Sequence, residues 1–518
     1  MLRSSWPFRT FAGLAGIACA SCGGDYWLGG APGAAGTAGA GGTGGAPSRP
    51  NIYDLGGDIV VTGPDSRDFG DCKIIGNGHS IRSVAPWYGH LWIHDCEITG
   101  LGSATTEAIA VSMSQTGWTT VERSSFATSG AVHVSNQDDS TTTFADNLVF
   151  ENSVVAIDDA SGQAEPVFRA EGGGSAAKVF RGNRILRSGA RFASPNWTIG
   201  GATDAESNVL VGLQAALALA GPGLVVRGNY VHNLHVPAAG DDSALNVAYE
   251  TTDVLAEHNV LRRGTWVVRG FGGELRYNAL LNADDLAWIQ QPFENTRVHH
   301  NLFLMCDAPD GGIGIQGGIQ VVNNRATGIE IFNNTFDGGS RVTSFAGPAI
   351  SVDQTSFLGS LRSNLIHDFR FEADGTIIGP RDGEPLSPVP PRLGYADYNL
   401  FFTSAGPVKN YGLSVQGRVE RVDPGFAFHD AHVGGVVDEQ VDPQLAGASQ
   451  GCFPWSDDDI KDRKITVSQM LAYFRAAYTP LPNSPLRGGG DPADGAGNAI
   501  GAVGDGTLAT DAFGRFGQ

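Results

Sequence analysis

Residues 256–278 read Ala256-Glu-His-Asn259-Val-Leu-Arg-Arg-Gly-Thr265-Trp-Val-Val-Arg269-Gly-Phe-Gly-Gly-Glu274-Leu-Arg-Tyr-Asn278. The stretch opens and closes on one pattern: a short strand-forming run, an asparagine, then two apolar residues. Three short strands fit between the two asparagines. Val260-Leu261 opens one, Thr265–Arg269 makes a second and Glu274–Arg276 a third, with Gly264, Gly270, Gly272 and Gly273 at the corners. Strands rise about 3.3 Å per residue, so three of them with their turns need roughly 20 residues, one coil of a parallel β-helix.

The same pattern recurs with Asn147, Asn183, Asn208, Asn229, Asn301, Asn334, Asn364 and Asn399 in the asparagine slot. Two earlier stretches, Ile93–Ile98 and Val121–Phe126, fit with Cys96 and Ser124 in that slot. Successive asparagines are 36, 25, 21, 30, 19, 23, 33, 30 and 35 residues apart. The short spacings are bare coils, and the long ones are the same coil with a loop inserted. Asparagine tolerates the left-handed backbone of a tight bend and can bond local backbone, so one per coil is expected to form a ladder. A leucine-rich repeat would need a leucine frame and a helix per repeat, and a propeller a longer period with blade signatures. A sandwich would not repeat one asparagine motif twelve times. The expected fold is therefore an all-β parallel β-helix of about a dozen coils over residues 51–425. Residues 426–518 are expected to supply C-terminal coils and a capping region of the same domain. There Thr466-Val-Ser-Gln469 is a capping box followed by Met470, Leu471, Phe474 and Ala477 at helical spacing. It predicts one short amphipathic helix that covers the last coil or packs along the side.

Glycine accounts for 73 of 518 residues, roughly twice the usual share. Asp and Glu outnumber Lys and Arg by 54 to 34, giving a net charge of −20, which argues against nucleic acid as a partner. Residues 1–22 read as an export signal: Arg3 and Arg9 precede a short apolar run, Phe11–Ala20, too short to span a bilayer. The run ends in Cys19-Ala-Ser-Cys22-Gly, similar to a bacterial lipobox with Cys22 as the lipidated residue; Cys19 is the other candidate, and an ordinary cleaved signal the third reading. Residues 23–50 form a Gly/Ala-rich linker that cannot bury enough apolar surface to order itself. Localisation follows as exported: an outer-membrane or surface lipoprotein, or a periplasmic or secreted protein, touching membrane only through a lipid. Cys72 and Cys96 sit in similar contexts 24 residues apart, about one coil. They are read either as a stacked disulfide or as two buried thiols.

The repeat resembles the right-handed parallel β-helix group, which includes pectate lyases, polygalacturonases, alginate and chondroitin lyases and phage tailspikes. Cys72–Ile81 looks like a first coil of such proteins, and Asp423-Pro-Gly-Phe, Asp442-Pro-Gln-Leu, Asn483-Ser-Pro-Leu and Ile500-Gly-Ala-Val resemble their C-termini. The resemblance implies a right-handed coil and polysaccharide as a partner, handled by a monomer. It assigns no activity: the Gly-His-Gly of polygalacturonases is replaced by Gly78-His79-Ser80, and the Arg-x-Pro-Arg of many pectate lyases is missing.

Aligning the second strands by alternation places Ala248, Arg269, Gln290, Gln316 and Asp353 in one outward row. Asn246, Val267, Trp288, Gly314 and Ser351 fall in the row beside it. Such a strip suits an extended sugar chain. Trp288 and Trp266 are candidate stacking faces, with the core as the other reading for Trp266, and Gln290 and Gln316 are candidate polar contacts. Asp242, Asp284 and Asp285 are candidate acids and bases beside Arg269. Alternatively, Arg269 or a Ca²⁺ held by the Asp pairs would neutralise a uronate carboxylate. His258, His299 and His300 precede the asparagines and are read as turn-flanking hydrogen-bonders before catalysts. Asp457-Asp458-Asp459 is read as a solvated acidic turn. Two functions stay open: a polysaccharide lyase or glycoside hydrolase, and a non-catalytic surface lipoprotein that binds glycan or acts as adhesin or spacer.

Overall fold

Three strands per turn, every one parallel to its neighbours in the coils above and below, build the body. The structure is a computed structural model that describes residues 50–149, 157–158, 163–164, 166–212, 215–234, 243–248, 251–262, 266–281, 287–305, 318–321, 328–338, 349–352, 358–367, 393–402, 412–415, 418–421, 441–447, 453–495 and 498–504. Residues 1–49, on which the expected export signal with Cys19 and Cys22 and most of the expected linker fall, lie outside the described residues.

One sheet of twelve parallel strands runs in strict chain order from Ile59–Gly63 to Ile350–Val352. The other two faces join at the asparagine corner into a 25-stranded sheet, the strand before the slot on one face and the strand after it on the other. In the coil quoted above the strands are Val260–Arg262, Trp266–Phe271 and Gly273–Arg276. This is a parallel β-helix of about a dozen coils, as the repeat implies. Its interior is one continuous apolar column. Aromatic rings fill the early coils, with Phe144 stacked on Phe180 at 5.5 Å, and aliphatics such as Leu275, Val298 and Ile331 fill the later ones.

The asparagines form the expected ladder, all of them at 0–2% exposure. Each Oδ1 accepts from the backbone N–H and the side-chain amide of the asparagine one coil earlier. Asn259 N and Nδ2, for instance, both lie 2.9 Å from Asn278 Oδ1. Each Nδ2 also reaches a carbonyl of the coil before, as Asn278 does to Ala256 O at 2.9 Å. The ladder runs unbroken from Asn147 to Asn399, and Ser124 and Cys96 continue it through Ser124 N to Asn147 Oδ1 (3.0 Å) and Cys96 N to Ser124 Oγ (3.2 Å). At its head Cys72 and Cys96, direct register partners with Cα atoms 4.5 Å apart, form a disulfide.

One detail of the bend differs from expectation. The left-handed residue is not the asparagine but the one before it: Asp146, His258, Tyr277, His300, Asn333, Ser363 and Tyr398 have φ between 50° and 58°. The asparagine must keep its side chain inward to serve the ladder, so the reversal falls on its predecessor, whose side chain then projects from the corner. Gly182 and Gly228 take this place at φ 67° and 65°, and Ser207, which follows a short 3-10 turn, is the exception at φ −65°.

The face after the corner is apolar on both sides, as in Ala279-Leu-Leu281 and Leu302-Phe-Leu304, because it too is covered. The helix Val467–Ala477, started by the capping box at Thr466, lays Val467, Met470, Leu471 and Phe474 against Val209, Tyr230, Val260, Ala279 and Leu302. Of the two placements expected, it packs along the side. The described part of residues 426–518 contributes no coil strand; it runs along this flank and ties down by polar contacts. Of the acidic triplet, Asp458 and Asp459 stay at the surface beside Lys461 and Lys464, in line with the solvated reading, whereas Asp457 departs from it and is one of these contacts. Asp457 accepts from Tyr230 Oη at 2.7 Å and lies 2.9 Å from His232 Nδ1, because both partners project from this covered face. Burial opposes its charge, but the bonds from His232 and Tyr230 outweigh that and hold its carboxyl below the usual range. Farther along, Tyr478 donates to Asp337, and Arg362 grips Asp494 at 2.9 Å.

Candidate functional site

The twelve-stranded sheet carries the row that the sequence pointed to, with part of its membership changed. Register places Asn246, Arg269, Gln290, Gln320 and Ser351 side by side on consecutive strands. Asn246, not Ala248, is thus the neighbour of Arg269, and Gln320 and Ser351 fill the places expected for Gln316 and Asp353. The errors follow from insertions ahead of these strands, which shift the start from which alternation is counted. Gln316, Asp353, Asp242, Asp284 and Asp285 lie outside the described residues, as does the side chain of Trp288, whose backbone is in register with Val267.

Towards the N-terminus the row continues through Ala218 to Arg191, Arg169, His133 and, past Ala110, Arg82. No position from Arg82 to Ser351 in this row is a carboxylate, in a chain where acids far outnumber bases. Arg82 and Arg169 are matched from flanking positions by Asp58 (3.0 Å) and Glu107 (2.9 Å), whereas Arg191 stands exposed. Neighbours repeat at about 4.8 Å, so the row is a strip of cations and amides along the axis. Gln290 and Gln320 are buried at 7% and 2% exposure. Trp266 is also buried, at 7%, under the Arg269 guanidinium 5.2 Å from its ring. The Trp266 ring thus backs the Arg269 guanidinium by a cation–π contact.

A second polar cluster, on the strands before the asparagine corner, was missed apart from its histidines. Two adjacent outward columns alternate in charge. Glu257 receives Arg227 and Arg276, both at 2.8 Å. Glu274 receives Arg276 at 3.0 Å and lies 2.7 Å from His299 Nε2, while Arg297 bridges towards Glu330 at 3.6 Å. The signal was present as titratable residues at alternate positions, Glu and Arg in Glu274-Leu-Arg276 and Arg and His in Arg297-Val-His299, readable only once the coils are stacked in register. His299 packs flat on Phe332, ring centroids 4.6 Å apart, and its Nδ1 lies 2.8 Å from His300 Nδ1.

The hydrogen bond from His299, aided by Arg276 and Arg297, holds the Glu274 carboxyl at about 2; burial keeps the His299 ring below its ordinary value of 6.5. Both depressions act in one direction. Stability from His299 is complete above 6.5 and declines as pH falls below it, and that from Glu274 is complete above 4.5 and gone below about 2. Thermal melting followed from neutral to acidic pH is expected to show a decline that sets in near 6.5, and His299→Phe is expected to remove this first step.

Among the described residues no group of three or more His, Cys, Asp or Glu is placed to hold a metal ion, and no helix is long and apolar enough to cross a membrane.

No family model and no curated protein matches this chain. Solved structures give distant likenesses only. The periplasmic alginate epimerase AlgG is 12% identical over 69% of this chain and 78% of its own, with a TM-score of 0.37. An alginate lyase, AlyF-OU02 in complex with G6, is 9% identical over 72% and 87%, with a TM-score of 0.28. Scores this low support no inference, and the β-helix rests on its own stacked register.

Proposed function

We propose that this is an exported, carbohydrate-active protein that binds an extended polysaccharide along the outward row of the twelve-stranded sheet. The observation that carries the reading is the row from Arg169 to Gln320, which has no carboxylate of its own: three arginines and three amides, with Ala218 between them, suit a linear chain of hydroxyls and carboxylates. The Cys72–Cys96 disulfide fits an oxidising compartment outside the cytoplasm. The export signal fits the same place, with Cys22 as lipid anchor and the Gly/Ala-rich linker as tether. Asp242, Asp284 and Asp285 are proposed as the acids and bases of a lyase or hydrolase, with Ca²⁺ as the one metal to try.

The described row contains no acid–base pair of its own, which favours a second reading, a non-catalytic glycan binder. One experiment separates the two. Purified residues 51–518 are incubated with a polysaccharide panel while unsaturated products and reducing ends are followed, with Asp285→Asn as control. Product that vanishes in Asp285→Asn supports the enzyme; retention of polysaccharide without product supports the binder. In either case Arg269→Ala is expected to weaken binding about tenfold, as loss of one charge-assisted contact does. Unchanged retention in Arg269→Ala and Arg191→Ala would remove the row from the site.

A further inference from the structure

The early coils carry rings where the row on the twelve-stranded sheet carries cations, and they carry them on a different sheet. The strands Arg67–Ile75, His90–Thr99, Trp118–Glu122 and Thr141–Ala145, all before the asparagine corner, lie side by side in parallel register. Leu91, Ile93, Val121 and Phe144 point into the core. Alternation therefore turns His90, Trp92 and His94 outward, then Trp118, Thr120 and Glu122 on the next strand, and Thr141 and Thr143 on the one after. None of these outward places holds Val, Leu, Ile or Met, so the two indoles are the apolar matter of a polar surface.

Both indoles are held in place. Trp118 lies against His90, ring centroids 4.7 Å apart and planes 18° apart. Trp92 Nε1 donates to Glu122 Oε1 at 3.1 Å, and its ring rests on His94 at 4.2 Å. His94 in turn covers Gly70 so closely that a Cβ there would come 2.4 Å from its ring, and Asp68 and Asp95 flank it at 3.3 and 2.9 Å. Rings fixed before a ligand arrives lose little freedom when it binds.

Register also gives the surface a step. The residue beside Trp118 in the next coil is Thr141, and beside Trp92 come Thr120 and then Thr143. Coils are about 4.8 Å apart, and an indole stands well above a threonine. A wall of indole thus rises over a floor of half-buried threonines. The electron-rich ring face attracts the C–H bonds of a sugar, and the threonine and glutamate oxygens take its hydroxyls. Charge selects among sugars. Asp68, Asp95 and Glu122 surround the step, against one guanidinium, Arg123, bonded at 2.8 Å to both Asp95 and Glu122, and one imidazole, His94. The excess is negative, so a uronate is repelled while neutral hydroxyls are accepted. A nucleobase also stacks on indole, but its phosphates meet the same field.

We propose that Trp92 and Trp118 form a binding platform for a neutral polysaccharide, independent of the cationic row. The test is affinity electrophoresis of the whole chain in native gels cast with hydroxyethylcellulose, xyloglucan or galactomannan, with polygalacturonate as the acidic counterpart. Retardation is expected in at least one neutral gel. Trp118→Ala and Trp92→Ala are each expected to weaken it about tenfold, and Arg269→Ala to leave it unchanged. Thr141→Tyr fills the step without removing a ring from the fold; it is expected to abolish neutral retardation at an unaltered melting temperature. Free passage of the unmodified protein through every neutral gel overturns the proposal. So does neutral retardation that survives both Trp118→Ala and Thr141→Tyr. Retardation by polygalacturonate alone, lost in Arg269→Ala, overturns the platform and leaves the row standing.

Discussion

Replacing Asn278 by alanine is expected to lower the free energy of unfolding by about 4 kcal/mol, because several buried polar groups lose their partners together and each costs about 1–3 kcal/mol. Asn278 Oδ1 accepts from Asn259 N and Nδ2, both at 2.9 Å, and its Nδ2 donates to Ala256 O, Arg276 O and Asn301 Oδ1 at 2.9, 2.8 and 2.9 Å. Water cannot replace these contacts at a site of 0% exposure. Asn278→Asp is expected to fare little better: the carboxylate keeps the acceptor role but has no donor for the two carbonyls and the next amide. Urea unfolding of Asn278→Ala beside an exposed control such as Arg191→Ala measures the difference. A loss no larger than the control's would mean that the ladder records the fold without holding it.

Asp457→Ala is expected to cost about 3 kcal/mol, since removing one partner of a largely buried polar pair strands the other. His232 is 4% exposed at its side chain and lies 2.9 Å from the carboxylate, and the Tyr230 hydroxyl donates to it at 2.7 Å. The consequence should be local. The helix Val467–Ala477 and the segment before it are tied to the flank near this anchor, so limited proteolysis is expected to cut residues 453–495 sooner while the coils stay resistant. Equal acceleration across the whole chain would show that the flank and the coils unfold as one.

The sequence was most informative where a residue serves the repeat itself. Asn259, Asn278 and their equivalents could be read because each is held by contacts that recur every coil. Cys96 and Ser124 could be placed in the same slot because their neighbours keep the alternation. Legibility failed wherever a loop of variable length intervenes. The stretches 305–318 and 338–349 separate the corner strands from Ile319–Val321 and Ile350–Val352, so counting forward from Asn301 and Asn334 reached Gln316 and Asp353 in place of Gln320 and Ser351. The Glu274–His299–His300 chain escaped for another reason. Its members lie 25 residues apart, and only the lateral pairing of Arg276 with His299 brings them together. Asp457 looked like a solvated turn because nothing nearby in sequence names its partners, Tyr230 and His232, more than 220 residues earlier.

The position of the disulfide has a consequence for how such a rod ends. A linear stack is weakest at its terminal turns, which have a neighbour on one side only and can peel away without disturbing the middle. Every rung below Cys96 is a hydrogen bond that thermal motion can open. The first rung is covalent, and closing a loop of that size is worth about 3 kcal/mol against the open chain. The strand Asn51–Asp54 lies ahead of this link and can open with it intact, but peeling past Cys72 is opposed until the bond is reduced, so a reductant should let fraying run on beyond Cys72.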